Sequence, residues 1–153
     1  MTLAQKIDED LKTALKARET LKLSCLRMLK AAASNKAIEK GKSILEDAEI
    51  IDVIAKLIKQ REESVAAFTK GNRPELAQKE NQEAQILQAY LPPALSDEDL
   101  KAVIQAALQE IGARGPQAMG AVMKAVGPKT AGRADGKRVS DMVRQLLAGS
   151  TQP

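Results

Sequence analysis

The sequence predicts an all-α protein, and two observations support that fold class. The 153 residues are rich in Ala, Leu, Lys, Glu and Gln, which favour helices, and poor in Val, Thr and aromatic residues. Apolar residues recur three or four positions apart, and no stretch alternates apolar and polar residues as a half-buried strand does. We therefore expect about four helices before the double proline Pro92-Pro93 and three shorter helices after it.

The first four helices are predicted from apolar spacing and from residues that start or stop a helix. Thr2 is placed to cap the first helix, which ends near Arg18, and Gly41 stops the second. We expect Asn72 to cap the fourth helix, with Pro74 in its first turn. These helices cover, in order, about residues 3–18, 20–39, 47–70 and 74–91.

The double proline is the sharpest break in the chain. Both prolines lack a backbone N–H donor, and Pro92 disfavours a helical conformation at the residue before it. We therefore predict an N-terminal helical subdomain of residues 1–93, a C-terminal three-helix subdomain of residues 94–149 and a frayed tail of residues 150–153.

The three later helices have clear start signals. Ser96 is placed to cap the first of them, because acids follow it within one turn. The next helix runs from about residue 116 to residue 126 and is expected to stop before Pro128. The last begins after Asp135 and ends at Gly149.

The composition argues against most kinds of catalytic site. The chain has no His, and its only Cys, Cys25, lies in an apolar row where we expect it to be buried. A Ser/His/Asp or Cys/His arrangement is therefore excluded, and no glycine-rich phosphate loop follows a strand. We predict no catalytic residues, no metal site and no cofactor.

The same composition bears on location and partners. No signal peptide and no run of membrane-spanning length is present, and one unpaired cysteine suits a reducing compartment. We expect a soluble cytoplasmic protein that does not bind membranes. One Phe and one Tyr are too few for an aromatic platform on which bases stack.

The basic segment, residues 119–139, is the best candidate site. Between Gly112 and Arg138 six Lys or Arg face one acid, Asp135, so the local charge is +5 in a chain of net charge +4. Four of these cations, together with the N-terminus of the last helix, suit a phosphate backbone; they are Lys129, Arg133, Lys137 and Arg138. On composition alone a solvated turn explains the segment equally well. Phosphate contacts carry no sequence information, so DNA sequence reading is not expected.

A second candidate surface lies in the first two helices, where we favour a solvated face over a binding site. Its cations are Lys12, Lys16, Arg18, Lys22, Arg27, Lys30, Lys36, Lys40 and Lys42.

Four groups of residues, in this order and at this spacing, are similar to those of a known family. They are LRMLKA (26–31), KQREES (59–64), YLP (90–92) and the pairs MG, VM, PK and DG that begin at residues 119, 122, 128 and 135. Together they resemble the YqeY-like proteins, small bacterial proteins whose domain recurs as the C-terminal tail of the GatB subunit of the tRNA-dependent amidotransferase.

The resemblance implies a helical subdomain followed by a three-helix one, and a non-catalytic role as a tRNA-binding or tRNA-enzyme accessory protein. It adds Lys124 to the candidate contacts, and it implies tRNA and a tRNA-modifying or aminoacylating enzyme as partners. Two alternatives remain. One is a protein-interaction adaptor with an apolar groove between the subdomains. The least favoured is a carbon–nitrogen ligase with glutamine as amido donor, since the catalytic portions of the amidotransferase have no counterpart here.

Overall fold

The computed structural model describes residues 1–112 and 114–150, and these residues form seven α-helices with no strand. The all-α prediction is therefore confirmed. A single 3₁₀ turn, Pro116–Ala118, precedes the sixth helix. The helices are α1 (Leu3–Ala17), α2 (Thr20–Glu39), α3 (Asp47–Lys70), α4 (Pro74–Gln88), α5 (Asp97–Ile111), α6 (Met119–Thr130) and α7 (Gly136–Ser150).

Several of the predicted helix ends are confirmed by their hydrogen bonds. The Thr2 hydroxyl accepts a bond of 3.2 Å from the Gln5 N–H at the start of α1, and the Ser96 hydroxyl accepts one of 3.1 Å from the Asp99 N–H at the start of α5. Gly41 follows α2 with a φ of 69°, a left-handed conformation that favours glycine at this position.

The start of α4 differs from the prediction. Its N-cap is Arg73, which makes no capping bond through its side chain, and Asn72 instead adopts a left-handed φ of 58° two residues after the end of α3. Asn tolerates this conformation better than most residues with a side chain. Asn72 therefore helps to end one helix instead of capping the next.

The predicted stop before Pro128 is wrong, because α6 continues through it to Thr130. Pro128 lacks the N–H that would bond the carbonyl of Lys124, so the helix loses one hydrogen bond. The last turn is held by other contacts. The buried Thr130 hydroxyl donates to the Val126 carbonyl at 2.9 Å, and the Ala131 N–H donates to the Gly127 carbonyl at 2.9 Å.

The end of α7 also differs slightly. The helix passes Gly149 and includes Ser150, so the predicted frayed tail begins too early by one residue. The remainder of that predicted tail, residues 151–153, lies outside the described residues.

The helices group into two compact units, one ending at Leu91 and one beginning at Pro92. In the first unit α3 and α4 pack most extensively, and α1 and α2 complete a core whose centre is fully buried. Its largest fully buried side chains are Leu26, Leu29, Ile54 and Leu87, with Cys25 beside them. Cys25 is 1% exposed, which confirms the prediction that it is buried.

Tyr90 makes two polar contacts with α1. The Tyr90 hydroxyl donates to Asp10 Oδ2 at 2.5 Å, although 80 residues separate the two in the chain. The Lys6 ammonium also lies 5.5 Å from the centre of the Tyr90 ring. These contacts fix α1 to the residues that follow α4.

In the second unit α5, α6 and α7 pack around a core of aliphatic residues. The fully buried members are Leu100, Ile104, Val122, Val126 and Val143, with Leu147 at 2% exposure. Because one face of each helix is held in this core, the side chains on the opposite faces point to solvent.

Candidate nucleic-acid interface

The basic segment, residues 119–139, consists of α6, a five-residue connection (131–135) and the first turn of α7. Gly132 in the connection has a left-handed φ of 70°, which reverses the chain between the two helices. Val122 and Val126 bury the inner face of α6, and Val139 buries that of α7. The connection is therefore held at both ends by core residues.

Arg133 fastens this connection to the start of the second unit. Its Nε donates to the Pro93 carbonyl at 3.0 Å, and its own carbonyl accepts a bond of 2.8 Å from the Leu95 N–H. Leu95 is 5% exposed and belongs to the core. The paired bonds anchor residues 93–95 against the connection.

Arg138, in the first turn of α7, makes a similar attachment. Its Nη2 and Nε lie 2.6 and 3.1 Å from the same Asp97 carboxylate oxygen, and its Nη1 donates to the Leu95 carbonyl at 2.9 Å. This side chain thus joins the first turn of α7 to the first turn of α5. Asp97 also offsets the unfavourable placement of a cation at the positive end of α7.

Arg133 and Arg138 were both predicted as phosphate contacts. The structure places both guanidinium groups on partners within the protein, so they are engaged in holding the segment. The planar guanidinium, with donors in fixed directions, suits such multiple bonds to carbonyl and carboxylate oxygens.

The three predicted lysines are different. Lys124, Lys129 and Lys137 are exposed, and within the part of the chain that the structure describes none of them has an ion pair or a side-chain hydrogen bond. Their ammonium groups are free to meet an anion from solvent.

The lysines do not share one helix face. Lys124 and Lys129 are five residues apart on α6, which at about 100° per residue puts them about 140° apart around the helix. Lys137 lies in the first turn of α7, in a shallow depression that also contains Asp135 and Asp141. Lys124 and Lys129 therefore point away from α6 in different directions.

The second candidate surface, in α1 and α2, is partly neutralised by acids of α1 and α3. Lys30 pairs with Asp8 at 2.8 Å, and Lys40 and Lys42 both pair with Glu49 at 2.7 and 2.8 Å. Hydrogen bonds from the two lysines lower the pKa of Glu49 from 4.5 to about 2. No ion pair is found in the described residues for Lys12, Lys16, Arg18, Lys22 or Arg27.

Sequence reasoning missed one polar cluster in the first unit. Arg61 is 13% exposed, and its Nε lies 3.0 Å from Glu83 and 3.5 Å from Glu80, which joins α3 to α4. Its Nη2 also contacts the Met28 sulfur. A basic residue at helical spacing looks solvated from the sequence. Only its place inside the KQREES motif could have pointed to this contact.

The same cluster makes Cys25 a poor nucleophile. Its thiol donates to the Glu83 carbonyl at 3.7 Å, and burial, with a smaller effect from the Glu83 carboxylate, raises its pKa to about 11. Among residues 1–112 and 114–150 no group of three His, Cys, Asp or Glu is placed to hold a metal ion. None of the helices there is both long and apolar enough to cross a membrane.

Comparison with known proteins gives one consistent result. A family model described as "Yqey-like protein" matches residues 4–147. The chain is 37% identical to altered inheritance of mitochondria protein 41, mitochondrial, of Eremothecium gossypii over 107 residues, 69% of this chain and 58% of that protein. The protein of the same name in Kluyveromyces lactis is 36% identical over 102 residues, 65% of this chain and 55% of that protein. The one in Pyrenophora tritici-repentis is 27% identical over 145 residues, 93% of this chain and 79% of that protein.

The chain thus spans a little over half the length of the first two relatives. These relatives are fungal and are named as mitochondrial proteins, so the predicted cytoplasmic location and bacterial type are wrong by this comparison. The reason is physical. A free thiol and the lack of a recognisable signal peptide are each compatible with more than one compartment, so neither feature identifies the cytoplasm.

Proposed function

The chain belongs to the YqeY-like protein family, and we propose that it is a non-catalytic accessory protein that binds structured RNA, with tRNA as the expected ligand. The proposal rests on one observation: Lys124, Lys129 and Lys137 are exposed and unpaired on a basic segment whose arginines are already engaged. In this proposal the predicted 94–149 subdomain carries the RNA contacts.

The division between lysines and arginines favours phosphate as the ligand group. Lysine presents a compact charge on a flexible stem, which can adjust to the spacing of phosphates on a folded RNA. The fixed connection between α6 and α7 holds the backbone positions from which these lysine side chains extend. With one Phe and one Tyr in the chain, base stacking adds little, so shape and phosphate contacts provide the binding.

Three phosphate contacts give only modest affinity. Each neutralised phosphate changes the slope of log K against log salt by roughly 0.9 in duplexes, so three contacts give a slope near −3. A partner enzyme that holds the same tRNA would raise the effective affinity by linking the two binding events. We therefore propose a tRNA-modifying or aminoacylating enzyme as the partner.

Catalysis by this chain is the least favoured alternative. A glutamine-dependent carbon–nitrogen ligase needs an activated nucleophile to release ammonia. Cys25 is 1% exposed with a pKa of about 11, and the sequence has no His to act as its base.

The test is a filter-binding titration of purified chain with total tRNA at several salt concentrations. For the native chain we expect log K to fall with log salt concentration with a slope near −3. Each of Lys124→Gln, Lys129→Gln and Lys137→Gln should reduce the steepness of this slope by about one. The matched control is the triple change Lys56→Gln, Lys59→Gln and Lys70→Gln, which removes the same charge from exposed positions of α3.

The proposal fails if tRNA does not bind at low salt. It also fails if the α3 control weakens binding as much as changing Lys124, Lys129 and Lys137 to Gln together. Binding would then follow net charge and not this surface.

A further inference from the structure

The first unit carries a groove along one side of the hairpin formed by α1 and α2. The groove has a volume of about 180 Å³ and is closed at one end by residues 43–45. Its floor is apolar; the lining includes Ile7, Leu29, Ala33, Ala37, Leu45 and Ile50. Polar atoms enter mainly at the rim, through Asp8, Lys30 and two serines.

The α1 side of the groove is formed by Ala4, Ile7 and Asp8, and Ala4 and Asp8 begin a stripe that runs on along α1 beyond the groove. Residues 4, 8, 11 and 15 follow one another at intervals of four, three and four, which places them on one side of the helix. Asp8 in this stripe pairs with Lys30 on α2 at 2.8 Å. The ion pair therefore shows which sides of the two helices border the groove.

Among the large apolar side chains that remain in water, Ile44 lines the groove and Leu15 lies about two turns of α1 beyond it. Leu15, at the end of the α1 stripe, is 52% exposed, and Ile44, in the closing segment, is 63% exposed. Within the described part of the chain neither is covered by another helix. Contact with an apolar partner would remove both from solvent.

Unpaired cations lie beside the same face. Because α1 and α2 form an antiparallel hairpin in which Asp8 is level with Lys30, Lys12 and Lys16 are level with the first two turns of α2. Both lysines are exposed, as is Arg27 on α2, and no acid pairs with any of the three among the described residues. The groove therefore has an apolar floor, and three unpaired cations lie on the same two helices beyond its Asp8–Lys30 end.

We propose that this face of α1 and α2 docks an acidic amphipathic helix of a partner protein. Such a helix presents apolar residues every three or four positions to the groove and carboxylates to Lys12, Lys16 and Arg27. An RNA backbone would meet the cations but would leave Leu15, Ile44 and the apolar floor uncovered. The surface is separate from the lysines of the basic segment and does not depend on RNA binding there.

The experiment uses the full chain and a designed 20-residue helical peptide with leucines at positions i, i+3 or i+4 and i+7 and glutamates on its other faces. Binding is measured by fluorescence anisotropy. We expect Lys12→Glu with Lys16→Glu to weaken binding at least about tenfold, as the loss of about 1.4 kcal/mol of charge contacts would. Leu15→Ser with Ile44→Ser should weaken it similarly, and both pairs are exposed, so folding is spared.

Controls separate charge from shape. Lys56→Glu with Lys59→Glu makes the same charge change at exposed positions of α3 and should leave peptide affinity unchanged. A peptide of identical composition with its leucines scrambled should bind at least about tenfold more weakly, because it has no apolar stripe.

The proposal is overturned if the designed peptide does not bind, or if the scrambled peptide binds as tightly as the designed one. It is also overturned if the α3 control weakens peptide binding as much as Lys12→Glu with Lys16→Glu does. A fourth contrary result is that tRNA displaces the peptide and that this displacement requires Lys12 and Lys16. Sedimentation of the chain alone tests a further occupant. A dimer that is lost in Leu15→Ser with Ile44→Ser would assign the groove to a second copy and also contradict the proposal.

Discussion

Arg61 in the first unit and Arg138 in the second both join two helices through carboxylates, yet their surroundings differ. The Arg61 side chain is 13% exposed and faces Glu80 and Glu83, which are themselves 23% and 13% exposed. The Arg138 side chain is 35% exposed and pairs with Asp97, which is 81% exposed. One ion pair is largely removed from water and the other is largely hydrated.

The difference decides what each arginine does for the protein. Removing one partner of a mostly buried pair leaves a poorly hydrated charge, so we expect the cost to reach a few kcal/mol. A hydrated pair loses little when it is broken, because solvent replaces the partner. We therefore expect Arg61 to contribute mainly to stability and Arg138 mainly to the position of the basic segment.

The largest expected effect comes from Arg61→Gln. We expect a loss of about 3 kcal/mol in the free energy of unfolding, because Glu80 and Glu83 are left mostly buried without a cation. Urea denaturation followed by circular dichroism measures it. Adding Glu83→Gln to this variant should recover part of the loss. A loss below about 1 kcal/mol would mean that water reaches the cluster.

Arg138→Gln should have a smaller effect on stability, about 1 kcal/mol, since it removes an exposed ion pair and one bond to the Leu95 carbonyl. It should weaken tRNA binding while leaving the salt slope unchanged, because the residue positions the lysines and does not meet phosphate. Arg144→Gln, which breaks an exposed pair with Asp141 in α7, is the matched control. A slope reduced by about one unit would make Arg138 a phosphate contact after all.

The smallest change at neutral pH is expected for Glu49→Gln, because Lys40 and Lys42 are 42% and 41% exposed. The pKa of Glu49 is lowered from 4.5 to about 2 in the folded chain, so its contribution is present above about pH 4.5 and is lost as the pH falls towards 2. As the pH falls over this range, the free energy of unfolding of the native chain should therefore decrease more steeply than that of Glu49→Gln. Unfolding in urea at pH 7, 4 and 3 measures the difference, with Glu63→Gln as an exposed control. If the free energies of unfolding of the native chain and of Glu49→Gln change in parallel with pH, the stabilising role given to the Glu49 carboxylate is contradicted.

Much of the fold could be predicted from the sequence because its signals are local. Thr2, Ser96 and Gly41 act within one turn of their own position, and the apolar spacing identified the buried faces of the helices. Pro128 was misinterpreted because its cost is also local, one lost bond, whereas the contacts that outweigh it come from the core around Val126 and Thr130.

The candidate site was less predictable because the partners of its cations are distant in the chain. Arg138 and Asp97 are 41 residues apart, and Arg133 and Pro93 are 40 apart, so nothing in the basic segment itself shows that its arginines are engaged. Arg61 and Glu83 present the same difficulty in the first unit. Charge counts along a sequence predict where cations are concentrated but not which of them face solvent.

The hydrogen bond between Tyr90 and Asp10 has a consequence for the order in which the chain folds. Closing a loop of 80 residues costs more entropy than closing the short turns between neighbouring helices, so this contact forms after the helical hairpins. During synthesis on the ribosome, α1 emerges first but obtains its last attachment only when residue 90 has left the exit tunnel. Until then α1 is held by α2 and α3 alone.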